Sequence, residues 1–550
     1  MKSVRRSASR ACAMATLVAC GLAPHHSPAA ENSGDASAPC TTQDAEVRRR
    51  PGQEPQSEAT EPCDPNRMAI PHAQDLPPPT ARPDRWRIVE SLGYADNRLD
   101  PYSSNNPIKG DRPVYGNDGY TAFTATSSSL VEPRRVPLAS GNEADQVFLS
   151  QTATFDMVIY KGDTVFRPPD YQLRITPVIN YSQTRTSGAA TGSTTVSAQS
   201  LFFEKHLRDE SPHYDFDSVR VGIQPLTSDF RGFLVLDQPA GVRFFGTRSD
   251  NRYQYNVGWF RPLAKNAVRQ NDLGASPPHE DVLLANLYRQ DFLLAGFNAE
   301  IIAAHDRSRT PGTDRDVTYL GVSWDGHFSR VNLTGAAYAA GGRESPGTLT
   351  ASDATTVRAY FAALELSVDF DWIRPRLSVL HASGDPHPED RRATGFAALN
   401  GVPLFAGADS SFVLHQRLPL TASVDLKERD RIFADLRDGQ GTGPPSFSGP
   451  GLQLVGLGMD FDLSSRLRLS LDANHIGFAE TAPLEIITAK PSVPRALGND
   501  FSLNAFFRPL NSQNVVLRFG AAILQPGAGY RALYGDGTPY FASFNLILTY

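Results

Sequence analysis

From Tyr120 to the carboxy terminus the chain is a succession of short segments in which apolar and polar residues alternate, and helical periodicity is nearly absent. The alternation is clearest over 219–224, 252–260, 466–474 and 515–524. A period of two predicts β-strands with one apolar and one polar face. The last segment, Phe541-Ala-Ser-Phe-Asn-Leu-Ile-Leu-Thr-Tyr550, puts Phe544, Leu546, Leu548 and Tyr550 on one face and Ser543, Asn545 and Thr549 on the other. Such a strand suits a wall between lipid and water, although a soluble antiparallel sheet also alternates.

The connections decide between these two. Tight ones are expected at Asp325-Gly326-His327, Asp371-Trp372-Ile373, Leu463-Ser464-Ser465 and Leu510-Asn511-Ser512, and long ones at 341–354, 384–450, 480–499 and 526–536. Short turns alternating with long loops mark a bacterial outer-membrane barrel, whereas sandwiches and propellers have no reason to keep that parity. The pattern predicts an all-β fold, a transmembrane antiparallel β-barrel of about 18 strands with both ends in the periplasm. The loop 384–450 is too long for a plain connection and is expected to fold into the pore, cover its mouth or make a solvated excursion. Within it, Leu426 to Arg437 reads as a short amphipathic helix.

Composition narrows the setting. Of 550 residues 40% are hydrophobic and 20% charged, and past the amino terminus no apolar run approaches the roughly 18 residues of a spanning helix. Residues 1–30 read as a secretion signal: basic Lys2, Arg5, Arg6 and Arg10 precede an apolar stretch from Ala11 to Ala23. Cleavage near Ala29 or Ala30 competes with a lipobox-like Leu17-Val18-Ala19-Cys20, in which Cys20 would be lipidated. Residues 31–80, with Pro77-Pro78-Pro79, read as a disordered periplasmic linker. Residues 81–119 read as a periplasmic lead-in or partial plug, and 120–550 as the barrel. Cys40 and Cys63 either form a disulfide in an oxidising compartment or stay unpaired.

Phase along the strands assigns the lumen. With Val219, Val221 and Ile223 facing lipid, Arg220 and Gln224 face inward; with Tyr253, Tyr255, Val257 and Trp259 facing out, Arg252, Gln254 and Asn256 face in. The same phase places Arg174, Arg466, Arg468, Asp472, Asn474 and Arg518 inside. Tyr253, Tyr255, Trp259, Trp324 and Trp372 are expected in interfacial girdles. Seven of the 53 basic residues are lysine, leaving 46 arginines, and a guanidinium ladder would favour anionic or hydroxyl-rich solutes. The same bias also follows from base composition or from Arg pairing with nearby Asp or Glu. The net charge of −6 gives no overall basic field, so a weakly selective pore is the plainer expectation, with no nucleic-acid partner.

Catalysis finds little support. His305, His327, His381 and His475 are scattered, and no Gly-x-Ser-x-Gly elbow is present. No catalytic residue is assigned, and no cofactor or metal is expected. Gly384-Asp385 and Asp438-Gly439 lack the ligand ladder of a Ca²⁺ loop. A TonB-dependent transporter would need more chain before the barrel for its plug and about 22 strands.

The phrases Leu380-His-Ala-Ser-Gly-Asp385, Phe501-Ser-Leu-Asn-Ala-Phe-Phe-Arg-Pro-Leu510 and Leu517-Arg-Phe-Gly-Ala-Ala-Ile-Leu-Gln-Pro-Gly527 resemble the alginate-export-like outer-membrane porins over residues 120–550. The resemblance implies a monomeric barrel of a Gram-negative outer membrane, with an arginine-rich lumen that passes an anionic polysaccharide or other hydrophilic solute. The partners expected are outer-membrane lipid, the solute, and the barrel-assembly machinery acting on the strand that ends at Tyr550. The long amino-terminal extension departs from that family. The competing reading is a non-conducting barrel that anchors a periplasmic or surface partner.

Overall fold

The computed structural model describes residues 106–110, 112–162, 168–211, 215–310, 313–344, 355–438 and 446–550. Cys20, Cys40 and Cys63, the signal, the linker and most of the lead-in lie outside the described residues, as do Gly439 and residues 345–354 of the 341–354 connection.

Eighteen strands form the wall: β1 (Gly119–Pro137), β2 (Glu143–Lys161), β3 (Tyr171–Arg185), β4 (Ala190–Asp209), β5 (Phe216–Ile223), β6 (Ala240–Arg248), β7 (Tyr253–Arg261), β8 (Glu280–Arg289), β9 (Phe297–Thr310), β10 (Thr313–Phe328), β11 (Val331–Glu344), β12 (Thr355–Val368), β13 (Ile373–Ala382), β14 (Leu452–Ser464), β15 (Leu467–Gly477), β16 (Ala496–Phe507), β17 (Val515–Pro526) and β18 (Tyr540–Thr549). Each pairs antiparallel with its sequence neighbour, and β18 pairs with β1, from Thr126 opposite Thr549 to Arg135 opposite Tyr540. The sheet is therefore closed and has no free edge. Below the end of β18 the lead-in takes over the seam: Ile108 accepts from the Phe123 N–H at 2.7 Å, and Lys109 lies opposite Ala122.

Alternation sets the two faces of the wall. In β12 buried and exposed residues follow one another from Thr355 to Leu366: Val357, Ala359, Phe361, Ala363 and Glu365 point inward, while Tyr360, Leu364 and Leu366 point outward. Around the barrel the outward set is Val221, Phe244, Val257, Leu283, Ile301, Leu320, Val379, Leu457, Phe519 and Phe544, all exposed. A water-soluble surface does not carry so continuous an apolar belt, and a lipid-facing band does.

The tight turns fall near their expected places, with one displaced. Asp325, Gly326 and His327 are strand residues opposite Thr334, Leu333 and Asn332, and the reversal comes at Ser329-Arg330, where Ser329 takes a left-handed φ of 57°. The Asp-Gly pair reads as a turn locally, but cross-strand pairing carries β10 past it. Among the described residues three short helices decorate the loops: α1 (Phe412–His415), α2 (Ala482–Thr488) and α3 (Ala528–Tyr534). The helix expected over 426–437 does not form. Val424–Lys427 is extended and pairs with Leu418–Pro419 and Arg437–Asp438, and the residues between run irregularly. Burial on every side of this segment removes the solvated face an amphipathic helix needs.

Candidate functional site

The buried apolar cluster lies inside the barrel, where inward side chains of β8–β13 meet residues of the loop 383–451 and of the connection 224–239. Phe361 of β12 stacks on Phe396 at 5.3 Å between ring centroids, meets Phe433 edge-on at 5.1 Å, and lies 5.0 Å from Phe233. Tyr319 of β10 donates its hydroxyl to the Ala397 carbonyl at 3.0 Å. The long loop thus enters the lumen and packs on the β9–β12 wall as a soluble core would.

The same loop reaches the opposite wall. Glu132 of β1, fully buried, accepts from Arg429 at 2.7 Å, from Gln416 Nε2 at 3.1 Å and from Arg134 at 3.1 Å, and lies 3.1 Å from His415 Nε2. Asp500 of β16 accepts from the backbone N–H groups of Phe412 and Val413 and from the Ser411 hydroxyl, at 3.2, 2.7 and 2.7 Å. A carboxylate from the wall thus satisfies the first amides of α1, which would otherwise be buried without a partner. Near the loop's tip, Ala406 and Gly407 adopt φ of 51° and 70°. That bend brings the Ala406 carbonyl to Asn474 Nδ2 of β15 at 2.9 Å, and a side chain at Gly407 would overlap Asp472.

Charges within the loop are matched to these contacts. Burial pulls the Lys427 ammonium down to about 7, and it donates to the carbonyls of Leu414 and Gln416 at 3.0 and 2.6 Å. Burial alone would push Glu428 upward, but Arg431, Arg437 and Arg269 outweigh it and hold the carboxyl down to about 2. Burial and Arg429 disfavour charge on His415, yet Asp430 and Glu132 raise it above its ordinary value.

A second connection, 224–239, also turns inward. Asp229 accepts from the backbone N–H groups of Arg231, Gly232, Phe233 and Leu234 at 2.7–3.1 Å and from the Tyr338 hydroxyl at 2.7 Å. Arg231 bridges Glu365 of β12 and the Leu404 carbonyl, at 2.9 and 3.0 Å. The two inward loops therefore brace one another.

The inward faces of β1–β4 carry more small polar residues: Ser128, Ser150, Thr152, Thr176, Asn180, Ser182, Thr195 and Ser197 lie there beside Phe148, Val178 and Phe202, all of them buried. The polar residues bond to one another across strands, with Asn180 donating to Ser150 at 3.0 Å and to Thr152 at 2.5 Å.

The arginines singled out above occupy distinct places. Arg174 makes a two-pronged contact with Asp156, both bonds 2.9 Å. Arg220 is bonded to Glu204 at 2.7 Å and lies over the rings of Phe202 and Phe245. Arg468 lies 3.6 Å from Asp460 and 3.5 Å from Asp462. Arg518 donates to Asp409 of the loop at 3.2 Å, and Asn504 donates to the same carboxylate at 2.9 Å, in an exposed part of the lumen. Asp472 takes one amine of Arg376 at 2.9 Å, which also reaches Asp460 at 3.1 Å. Arg252 and Arg466 belong to turns, not to the wall. Three successive left-handed residues, Ser249 to Asn251, delay β7 until Tyr253, and Ser464 Oγ accepts from the amides of Arg466 and Leu467 before β15 begins. Arg174, Arg220, Arg468 and Arg518 each meet a carboxylate, whereas Arg243, opposite Arg220 on β6, lies over the ring of Phe245, so these positions do not form an unopposed basic ladder.

Of the histidines, His305, His381 and His475 bond to Thr318, Tyr360 and Asn499 on neighbouring strands. Asp385 accepts from the His387 amide at 3.2 Å, and Asp438 sits in a short pairing with Val424. Among the described residues no group of three His, Cys, Asp or Glu side chains is placed to hold a metal ion. Strand phase passed over Glu132, Asp500 and Asp409, whose roles depend on where the loop lands. Asp229 had a local signal in Ser228-Asp229-Phe230-Arg231-Gly232, the pattern of a side chain that caps its own turn.

A closed antiparallel barrel of eighteen strands, apolar outside and crossed inside by its own loops, is the architecture of outer-membrane channels. No family model and no curated protein matches the chain. Solved structures similar to it include OccK7 (OpdD) of Pseudomonas aeruginosa, 11% identical with a TM-score of 0.46, covering 79% of this chain and 99% of that one. OccD3 (OpdP) of the same organism is 9% identical, TM-score 0.45, covering 83% and 98%. OccAB4 of Acinetobacter baumannii is 10% identical, TM-score 0.44, covering 79% and 98%. At these values the likeness carries none of the functional argument, which rests on the barrel's own geometry.

Proposed function

We propose that this protein is a restricted channel of a Gram-negative outer membrane, passing small hydrophilic solutes past its inward loop, by way of the exposed Asp409–Arg518 contact. The observation that carries the reading is the loop 383–451, which is bonded to Glu132 and Asp500 on one side of the barrel and packed on Phe361 and Tyr319 on the other. A wall built only to anchor a partner needs no such internal fitting. The crossed lumen disfavours a polymer such as the polysaccharide implied by the alginate-export-like resemblance, since a chain of sugars would have to displace an apolar core. The paired arginines favour weak charge selectivity over strong anion preference.

The test is single-channel conductance of the refolded protein in a planar bilayer, compared with a variant in which residues 395–437 are replaced by a short Gly-Ser linker. Conductance that is small in the native chain and several-fold larger in the variant is the expected result. A native barrel that shows no conductance, beside a variant that conducts freely, would show that the loop seals the lumen and would favour the anchoring reading.

A further inference from the structure

We propose that the outer rim of β9–β12 is a docking surface for a phosphorylated lipid headgroup of the outer leaflet, held by Arg307, Arg309, Arg343 and Arg358. This rests on the outer-membrane reading above. By strand alternation all four side chains point away from the lumen, and all four are exposed. Arg307 shares its face with Ile301 and His305, and Arg358 shares its face with Tyr360, Leu364 and Leu366. The arginines therefore begin where the apolar band ends, at the depth where lipid phosphates lie.

Register places them side by side. Arg307 is opposite Asp316, Asp316 is opposite Arg343, and Arg358 is opposite Gly341, two residues from Arg343 along β11. With neighbouring strands about 4.8 Å apart, the four sit within a patch roughly 15 Å wide. Asp314 and Asp316 lie in the same patch, and Asp281 lies opposite Arg307 on β8, where Arg261 pairs with it at 2.8 Å; His305 is 3.8 Å from Asp316, so with the Arg261–Asp281 pair counted as neutral the surface keeps a net excess of two positive charges with His305 neutral.

Three other exposed arginines of the outer rim are already answered. Arg135 binds Asp145 through two bonds of 2.8 and 2.9 Å, Arg261 binds Asp281 at 2.8 Å, and Arg495 binds Glu480 at 2.7 Å. Among the described residues, Arg307, Arg309, Arg343 and Arg358 form no ion pair, although Asp281 and Asp316 face Arg307 from the two neighbouring strands and Asp281 is within electrostatic range of Arg309. Guanidiniums suit phosphate through paired N–H donors, and a cluster without internal partners is free to make those contacts. Each basic side chain held against an anionic lipid surface adds a favourable increment, and several together select a headgroup that carries more than one negative charge.

The experiment uses the full-length protein, stripped of lipid in neutral detergent, with lipid A as the probe and phosphatidylcholine and inorganic phosphate as controls. Native mass spectrometry and thermal unfolding report binding. The expected result is retention of lipid A by the native chain and a loss of affinity of about tenfold or more in the R307Q/R309Q/R343Q/R358Q variant. An R135Q/R495Q variant, which leaves the Arg261–Asp281 pair beside the patch intact, should bind as the native chain does. Equal lipid A affinity in the native and four-fold variants overturns the proposal, as does an equal loss in the control variant. Inorganic phosphate competing as well as lipid A would mean a free-anion site and also overturns it. Conductance measured on the same preparations reports the channel reading separately: a conducting barrel whose lipid binding ignores the four arginines sinks this inference alone.

Discussion

The two sides of the lumen are built from different materials on one scaffold. The inward faces of β9–β12 carry Ile302, Ala304, Val317, Tyr319, Ala336, Tyr338, Val357 and Phe361, whereas those of β1–β4 carry Ser128, Ser150, Thr152, Asn180, Ser182 and Thr195. Both obey the same alternation, so strand geometry does not distinguish them. What distinguishes them is the occupant. Large apolar side chains facing inward are stable only where the loop covers them, whereas the small polar residues, also buried, are satisfied by bonds to one another across strands. One side serves as a dock for the loop and the other is held by its own polar network.

Five substitutions would break or sharpen that contrast, and the largest effect belongs to the dock. Phe433→Ala, which empties a ring from the cluster around Phe361 and Phe396, should cost about 3–5 kcal/mol of loop seating. Limited proteolysis should then cut within 395–437 while the barrel keeps its heat-modifiable migration; a loop still protected would mean that the apolar cluster does not hold it. Next, Arg429→Gln withdraws one donor from buried Glu132, with an expected cost of about 1.5–3 kcal/mol, since Arg134, Gln416 and His415 remain. Here the readout is open-channel noise, which should rise as the loop loosens from β1.

A smaller effect should come with pH. His415 faces Glu132 and Asp430, which favour its charge, and Arg429, which opposes it; its folded value is raised. Its contribution to loop seating is thus complete below about pH 6.5 and is lost as pH climbs through the folded value. Lys427, lowered to about 7 by burial, acts in the opposite sense, so seating gains as pH rises from there toward about 10.4. His415→Gln should abolish the first trend and keep the second in protease protection followed across pH. A profile identical to the native one would show that His415 is not the titrating anchor.

The least effect on stability, under about 1 kcal/mol, is expected at the exposed Asp409–Arg518 contact. Its signature is selectivity: Asp409→Asn should move the reversal potential in asymmetric salt toward anions, and Arg518→Gln toward cations. No shift with either would place this pair outside the conducting path.

The barrel was legible in the sequence because its cause is local. Alternation in 219–224 or 515–524 and the parity of tight and long connections are properties of neighbouring residues, and together they predict the closed sheet and its eighteen strands. The interior was legible only by phase. Phase placed Arg174 and Arg220 on the inward side of their strands, yet it could not say that Asp156 and Glu204 sit one strand away to balance them, because cross-strand register is a non-local quantity. The loop was flagged by length alone. Its path depends on contacts between residues hundreds of positions apart, such as Arg429 with Glu132 and Ser411 with Asp500, and its segment 426–437 carries helix-like spacing that burial overrides.

The loop also touches the two strands that close the circle: Arg429 grips Glu132 on β1, and His415 lies 5.0 Å from the ring of Phe541 on β18. A cylinder that must meet its own first strand after eighteen strands can join one notch too high or too low, and the residues paired across the join would then be mismatched. A mandrel held inside, with one grip for each of the two edges, sets where they meet. The segment that narrows the finished pore is thus placed to be the former on which the wall is wound, and a chain lacking it would be expected to produce barrels misaligned at the join even where every strand is intact.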